Sequence, residues 1–594
     1  MVENNSIKEG KEGYIFDYIS GEEIKATPEE IDAVQVFSKI LVEDYEYPKD
    51  VIQTRPQFRV KVRPSDIKKE YPIDIAIFEN NKKNEDDISI IIECKKKTRL
   101  DGLEQLKDYL RFSKASLGVW FNGNQKLFIR KVEKGGKILF QEIPNIPKYN
   151  QRLEDVGKFV RKDLRPAINL KSNFKTIRNY LAANNVGATR DEVLAQELIN
   201  IIFCKIYDEK FTRQEDIVTF RAGIDEEPED VSKRIKDLFN DVKKKYSDVL
   251  DSSDNINLDS KSIYYVVGEL QNFSLTDSSR DAIGDAFEVF IDHALKGGQG
   301  QFFTPRNVVK MVIEMIDPST EEKLLDPACG SGGFLIEAMR YIWDKIEQEG
   351  RDLNWPDHEI EIEKQKVAIK NLRGIEKDYF LSKVAKAYMA LLGDGRGGVF
   401  CENSLESPKN WHKKTQIEIK LESFDVIVTN PPFGAKLPVT GEEIIKQFEF
   451  GYKWSFNKKD HVWEKGKIKD KEAPQTLFIE RCLQLLTPGG RLGIVLPDGI
   501  LGNDKLGYIR NHIIKHAKIL AVIDVPIETF MPHTSTKTSI LILKKYLEDE
   551  IIEDDYEIFM AIAETCGHNR RGDFMLDDDI AKLSSLYKDW KNGK

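Results

Sequence analysis

The sequence predicts an α/β multidomain chain: an α/β domain, then a helical domain, then a doubly wound α/β domain. Three observations carry this. Short apolar strands alternate with helical stretches from about residue 296 to 547, the pattern of a doubly wound parallel sheet. One of these strands runs straight into a glycine-rich turn, LLDPACGSGGFL, from Leu324 to Leu335. A separate strand-rich block opens the chain. A length of 594 residues is too great for one core, since domains usually hold roughly 100–200 residues.

Residues 1–148 read as α/β. A helix is expected at 31–42, alternating strands at 57–62 and 73–78, a continuous apolar strand at 88–93, a helix at 103–112, and strands at 116–121 and 126–130. Pro144 and Pro147 mark a boundary. Residues 149–295 read as helical, with apolar spacing through 192–209 and charges at i,i+4 through 231–246. In the 296–547 domain, strands are expected at 323–326, 372–376, 424–429, 491–496 and 519–524. Residues 548–594 read as a short mixed tail.

Composition narrows the function classes. Hydrophobic residues make up 40% and charged residues 32%, as in a soluble globular protein. No apolar run reaches the roughly 20 residues of a membrane span, and no signal-peptide pattern opens the chain, so no membrane association and a cytoplasmic location are expected. The six cysteines are scattered without a CxxC pair, which points away from disulfides and zinc. A net charge of −10 is awkward for a protein that grips DNA through phosphate alone, although a local basic surface or a basic partner can supply the field. Lysine runs at 95–99 and 453–469 read as solvated faces.

The glycine turn lets backbone approach a ligand closely and offers the free N–H groups of a helix start. No GK pair follows, so it is not a phosphate loop. Glu376 ends the next strand, where an acidic side chain suits ribose hydroxyls. The decisive element is Asn430-Pro431-Pro432-Phe433 after the strand FDVIV. Two prolines fix an extended turn that can aim the Asn430 oxygen and the Pro431 carbonyl at one exocyclic amine. Phe433 offers a face for a base swung out of a duplex.

These segments resemble the modification subunit of type I restriction systems, a family of N6-adenine DNA methyltransferases. The resemblance covers about 160–560 and rests on LINIIFCKIYDE, GQFFTPRNVVKMVIEMI, DPACGSGGFL, NPPF and GGRLGIVLPDGIL. It implies a site-specific adenine-N6 methyltransferase using S-adenosylmethionine and acting on double-stranded DNA. Phe303, Thr304 and Pro305 would cap the methionine end of the cofactor. Asp326, Ala328, Gly330 and Gly332 would line its pocket, Glu376 would hold the ribose, and Asn403 stands where the family usually has aspartate near the adenine ring. Glutamine methyltransferases of release factors use a similar NPP turn but lack the FFTP element.

The first domain carries a second constellation. Asp74 lies on one expected strand and Glu93 and Lys95 at the end of the next, joined as a hairpin by the acidic loop 80–87. This spacing fits the PD-(D/E)xK nuclease pattern. Two carboxylates can hold Mg²⁺ through oxygen, and the metal can activate water. Lys95 shares a face with Glu93. Gln105 and Tyr109 follow as QxxxY one helical turn apart, an arrangement resembling that of type I restriction subunits. Glu43 is a candidate upstream carboxylate or a plain surface charge.

No GxxxxGKS/T motor motif occurs, and only a short tail follows the sheet. The layout therefore resembles type IIB subunits, nuclease plus methyltransferase. A separate specificity subunit is expected to dock on 149–295, with two catalytic chains per complex. Two alternatives stay open: a methyltransferase with an inactive nuclease-like domain, or a non-catalytic DNA-binding scaffold of a phage-defence complex.

Overall fold

The computed structural model describes residues 11, 13–61, 70–167, 170–184, 191–247, 249–278, 304–392, 398–433, 438–531, 534–552 and 555–593. Phe303 lies outside them. The chain divides into two compact units, 1–246 with 252–293, and 247–251 with 294–594.

The first unit is built on a six-stranded sheet: β1 (Ile52–Gln53), β2 (Ile75–Phe78), β3 (Ile88–Cys94), β4 (Leu117–Phe121), β5 (Lys126–Lys134) and β6 (Lys137–Ile143), in the order β6-β5-β4-β3-β2-β1. β3 and β4 run parallel and every other neighbouring pair is antiparallel. The continuous apolar run of β3 is explained by burial on both faces. Ile90 and Ile92 pack with Phe37 and Leu41 of helix α1 (Gln35–Glu43) on one side. Ile91 packs with Leu106, Tyr109 and Leu110 of α2 (Leu103–Phe112) on the other.

Four helices follow: α3 (Leu170–Asn184), α4 (Asp191–Phe211), α5 (Pro228–Lys245) and α6 (Ser260–Leu270). They belong to the same unit as the sheet. A buried ion pair joins Lys126 of β5 to Glu269 of α6 at 2.7 Å, and Asn145 Nδ2 donates to the Gly268 carbonyl at 2.9 Å. Residues on both sides of the proline-marked stretch near 148 fall in this unit.

The second unit holds an eight-stranded sheet: β7 (Leu324–Asp326), β8 (Leu372–Glu376), β9 (Val399–Cys401), β10 (Phe424–Thr429), β11 (Leu486–Pro497), β12 (Ala517–Asp524), β13 (Thr538–Lys545) and β14 (Phe559–Ile562). The order is β9-β8-β7-β10-β11-β13-β12-β14. All pairs are parallel except those of β13, which runs antiparallel to both β11 and β12. The strands expected from sequence all run in one direction, and β13, which no expected strand covered, is the reversed one. A parallel return needs a crossover of a dozen or more residues, usually helical, whereas the described residues of 525–537 supply a 3₁₀ turn (Ile527–Phe530) and no α-helix.

Helices α7 (Arg306–Ile316), α8 (Gly333–Asp352), α9 (Asp357–Asn371), α10 (Tyr379–Leu392), α11 (Pro474–Leu485) and α12 (Gly507–His516) accompany this sheet. The last segment is part of the same body. β14 extends the sheet, and α13 (Ile580–Lys591) lies against α7. Asn307, in the first turn of α7, donates through Nδ2 to the Cys566 carbonyl at 3.0 Å and to the Asp578 carboxylate.

Candidate active site

Strand order reverses between β7 and β10, and open α/β sheets bind ligands outside the carboxyl ends of strands at such a switch point. The two sequence motifs emerge there side by side. β7 ends at Asp326 and turns through 327–332 into α8, while β10 ends at Thr429 and turns into Asn430–Phe433. A cavity of about 590 Å³ opens between them, within the size range of small-molecule sites.

The cavity wall contains Ala328, Gly330, Glu376, Asn403 and all four residues from Asn430 to Phe433. Asp326, Gly332, Thr304 and Pro305 do not line it directly. Gly330 and Gly332 have φ of +53° and +91°, a left-handed backbone that favours glycine. Gly332 caps α8, and a Cβ there would meet Ala385 at 3.3 Å. Glu376 has a structural duty: its Oε2 accepts the Gly330 N–H at 2.9 Å and its Oε1 the Asp378 N–H at 2.8 Å. One carboxylate thereby holds the glycine turn and the start of α10 while facing the cavity, and burial pushes its pKa up. Asp326 is buried and accepts from the Ala328 N–H at 3.0 Å. Burial drives its pKa up to about 7 against the pull of those hydrogen bonds. Asn403 Oδ1 accepts the Leu405 N–H at 3.2 Å, which fixes the turn on that wall.

Asn430 is held from one side only. Its Nδ2 donates to Thr304 Oγ1 at 3.0 Å, and its Oδ1 is buried with no hydrogen-bond partner among the described residues. An acceptor left so costs about 1–3 kcal/mol and is open to a ligand's donor. Pro431 is buried and Pro432 part-buried. Phe433 is 5% exposed and meets Phe530 edge-on at 6.2 Å, so its ring is packed away in this conformation. Sequence reasoning missed the rest of the wall, including Lys377, Asp378, Thr440 and Phe478, because no local pattern marks residues brought in from other loops.

The first unit brings its constellation together as well. The register Ile75↔Ile92, continued one step, sets Asp74 opposite Glu93. Asp74 Oδ2 accepts the Cys94 N–H at 2.8 Å, and Lys95 is ion-paired with Glu93. Burial raises the pKa of both Asp74 and Glu93, and the charge of Asp74 adds to the rise of Glu93. Such a desolvated oxygen pair fits a hard divalent cation, which would relieve the repulsion. Among the described residues no group of three or more metal-type side chains converges, so any ion here would rest on two carboxylates and other oxygens. Gln105 is exposed and bonds to the Tyr109 hydroxyl, which in turn donates to the Pro72 carbonyl at 3.3 Å and ties α2 to the strand of Asp74. The charge of Glu29 reaches both Asp74 and Glu93, and that of Glu30 reaches Asp74. Glu43 instead pairs with Lys39 at 3.6 Å in the last turn of α1.

A switch-point cavity shared by a glycine turn and an asparagine–proline turn defines the class as the S-adenosylmethionine-dependent methyltransferase fold. The N-6 DNA Methylase family model matches residues 278–594, more than half of the chain, and the chain belongs to that family. A second model, the N terminus of type I restriction enzyme R protein, matches residues 28–147. The EcoEI type I methylase subunit of Escherichia coli is 28% identical over 61% of this chain and 62% of its own length. The restriction enzyme and methyltransferase RM.BcgI of Heyndrickxia coagulans is 23% identical over 48% of this chain and 38% of its own. The chain thus spans less than two thirds of these curated relatives. A solved chain from a type I restriction-modification system shares the fold with a TM-score of 0.50, at 20% identity over 72% of this chain and 84% of that one. Among the described residues no helix is long and apolar enough to cross a membrane.

Proposed function

We propose that the chain transfers a methyl group from S-adenosylmethionine to the N6 amine of adenine in double-stranded DNA, as a subunit of a restriction-modification system. The observation that carries this is the Asn430 side chain in the wall of the cavity it shares with the glycine turn, its buried Oδ1 without a partner among the described residues. The cofactor supplies an electrophilic methyl on a positively charged sulfur. The remaining steps belong to this chain. Asn430 Oδ1 accepts a hydrogen from the amine and holds its nitrogen lone pair toward the methyl. The Pro431 carbonyl is the second acceptor. Held by the cavity wall, S-adenosylmethionine would give its methyl to the amine nitrogen and leave as a neutral thioether, and the surplus amine proton would go to water. Ala328, Gly330, Glu376 and Asn403 form the cofactor wall, with Asp326, Gly332, Thr304 and Pro305 shaping it from behind and Phe303 completing the FFTP element.

The test is labelled cofactor, duplex DNA and a recognition partner, followed by nucleoside analysis. Label in N6-methyladenine supports the reading, and label in cytosine or in protein ends it. DNA specificity is assigned to a separate subunit docked on 149–295, with two catalytic chains per complex.

A second reading rests on Asp74, Glu93 and Lys95 being gathered at one strand end. They would hold Mg²⁺ and, with Gln105 nearby, support DNA cleavage in the first unit. If the unmodified complex leaves unmethylated target DNA uncut in Mg²⁺, this second activity is refuted and the first stands.

A further inference from the structure

Beyond the cavity, the second unit carries a two-stranded hairpin, Tyr452–Asn457 with Val462–Ile468, which the catalytic reading leaves without a task. It grows out of the cavity wall. Val439 and Thr440 line the cavity and pair with Glu472 and Lys471, so the hairpin is the excursion between these two short strands. The chain then passes directly into Pro474 and Phe478, which also line the cavity.

One face of the hairpin is pinned down. Trp454 stacks on Tyr508 of α12 with ring centroids 5.9 Å apart, and Trp463 meets the same ring edge-on at 5.7 Å. Trp463 lies so close to Gly507 that a Cβ there would sit 2.7 Å from it. Lys469 donates to the Tyr508 hydroxyl at 3.2 Å. The hairpin is therefore seated firmly, not a loose loop.

Its other surface is cationic. Residues 452–468 hold five lysines against Asp460 and Glu464, in a chain of net charge −10. Lys465 is neutralised by Glu449 at 2.8 Å. Lys453, Lys458, Lys459 and Lys467 are exposed, and none makes an ion pair among the described residues. Four lysines without an ion pair among the described residues, on a hairpin whose flanking strand pair lines the cavity, suit a polyanion. A six-residue strand is about 20 Å long, and duplex DNA advances 3.4 Å per phosphate along each strand, so the hairpin matches roughly six phosphates of one strand.

We propose that this hairpin binds the phosphate backbone of duplex DNA next to the target base, holding the duplex while the base enters the cavity. The inference rests on the methyltransferase reading and gives that reading a DNA-binding surface within this chain. Backbone contacts position without specifying sequence, which fits a chain whose specificity comes from elsewhere.

The experiment uses the full chain and a random 30-base-pair duplex, titrated by fluorescence anisotropy across a salt series. The test variant is Lys453→Gln/Lys458→Gln/Lys459→Gln. The control is Lys582→Gln/Lys588→Gln/Lys591→Gln on the exposed side of α13. Removing one lysine–phosphate pair lowers the slope of log affinity against log salt by about 0.9. The test variant should therefore bind at least about tenfold more weakly at low salt, with a slope shallower by about 2–3, while the control matches the unmodified chain. Calorimetry with S-adenosylmethionine on the same samples reports the cavity independently. Intact cofactor binding with unchanged DNA slope overturns the hairpin assignment and leaves the methyltransferase reading in place. Absent cofactor binding in the unmodified chain strikes that reading instead. Absence of duplex binding by the unmodified chain, or loss of binding confined to an RNA hairpin probe, also overturns the proposal.

Discussion

At the end of β3 two carboxylates and a lysine sit together, and the ion pair between Glu93 and Lys95 already balances part of the charge. At the end of β10 an amide oxygen has no partner among the described residues. Both constellations stand at strand ends, and both are desolvated, yet they are built for different guests. The first is compact and closed by its own lysine, and in the second reading proposed above its guest would be a small hard cation. The second opens on a cavity of about 590 Å³ and lacks a hydrogen-bond donor of organic size. A site for an ion reads as raised carboxylate pKa values. A site for a base and a nucleoside-like cofactor reads as space plus an orphaned acceptor.

The sharpest break between the two comes from single substitutions read on both activities. Asp74→Asn or Glu93→Gln should take Mg²⁺-dependent cleavage below detection in a plasmid-nicking assay and leave methyl transfer within twofold, about the scatter of such assays. Equal cleavage by both variants would dissolve the distinction from the first unit's side.

Next in size, Asn430→Ala should lower methyl transfer by about 100- to 1,000-fold, the scale of losing one aimed polar group, with cofactor affinity retained. Thr304→Val tests the support: turnover should fall while Thr304→Ser restores it, because a serine hydroxyl can also accept from Asn430 Nδ2. If Thr304→Val weakens cofactor binding and leaves turnover alone, Thr304 serves the methionine end and not Asn430.

Gly332→Ala should weaken cofactor binding about tenfold, since a left-handed L-residue costs roughly 1–2 kcal/mol and 1.4 kcal/mol is a factor of ten. Calorimetry decides this.

The smallest effect concerns acidity. Asp326 has a pKa of about 7 in the fold against 3.8 when unfolded. Its stabilising contribution is therefore full below about pH 4 and declines as pH rises to 7. Asp326→Asn lacks this titration, so its melting temperature relative to the unmodified chain should climb from pH 4 to 7. Parallel melting profiles would show that the carboxyl titrates normally.

Local chemistry was legible and long-range closure was not. The strand FDVIV, the glycine turn and the NPPF turn are each written in consecutive residues, and the fold places them together at the switch point. Asp74, Glu93 and Lys95 were readable for the same reason, because a hairpin register follows from adjacent apolar runs. The antiparallel β13 was not readable, since direction depends on what 525–537 can span. Glu29, whose charge reaches Asp74 and Glu93, and Glu30, whose charge reaches Asp74, were hidden because they lie on a separate helical segment that no motif spacing links to the pair. The basic hairpin was visible as lysines, but its meaning depends on Trp454 and Trp463 meeting Tyr508 some fifty residues away, and on strand pairing that anchors it to the cavity wall.

The bonds from Asn307 to Cys566 and Asp578 also set an order in time. The ribosome delivers residues at about 5–20 per second, so the segment 559–591 emerges only after every residue that lines the cavity. Until it does, α7 lacks this hydrogen-bonding neighbour at its first turn, just beyond Thr304, whose hydroxyl accepts from Asn430. A nascent chain thus carries its glycine turn and its NPPF turn for seconds before this contact can form. The last strand and helix act as the clasp on a box whose contents are already inside.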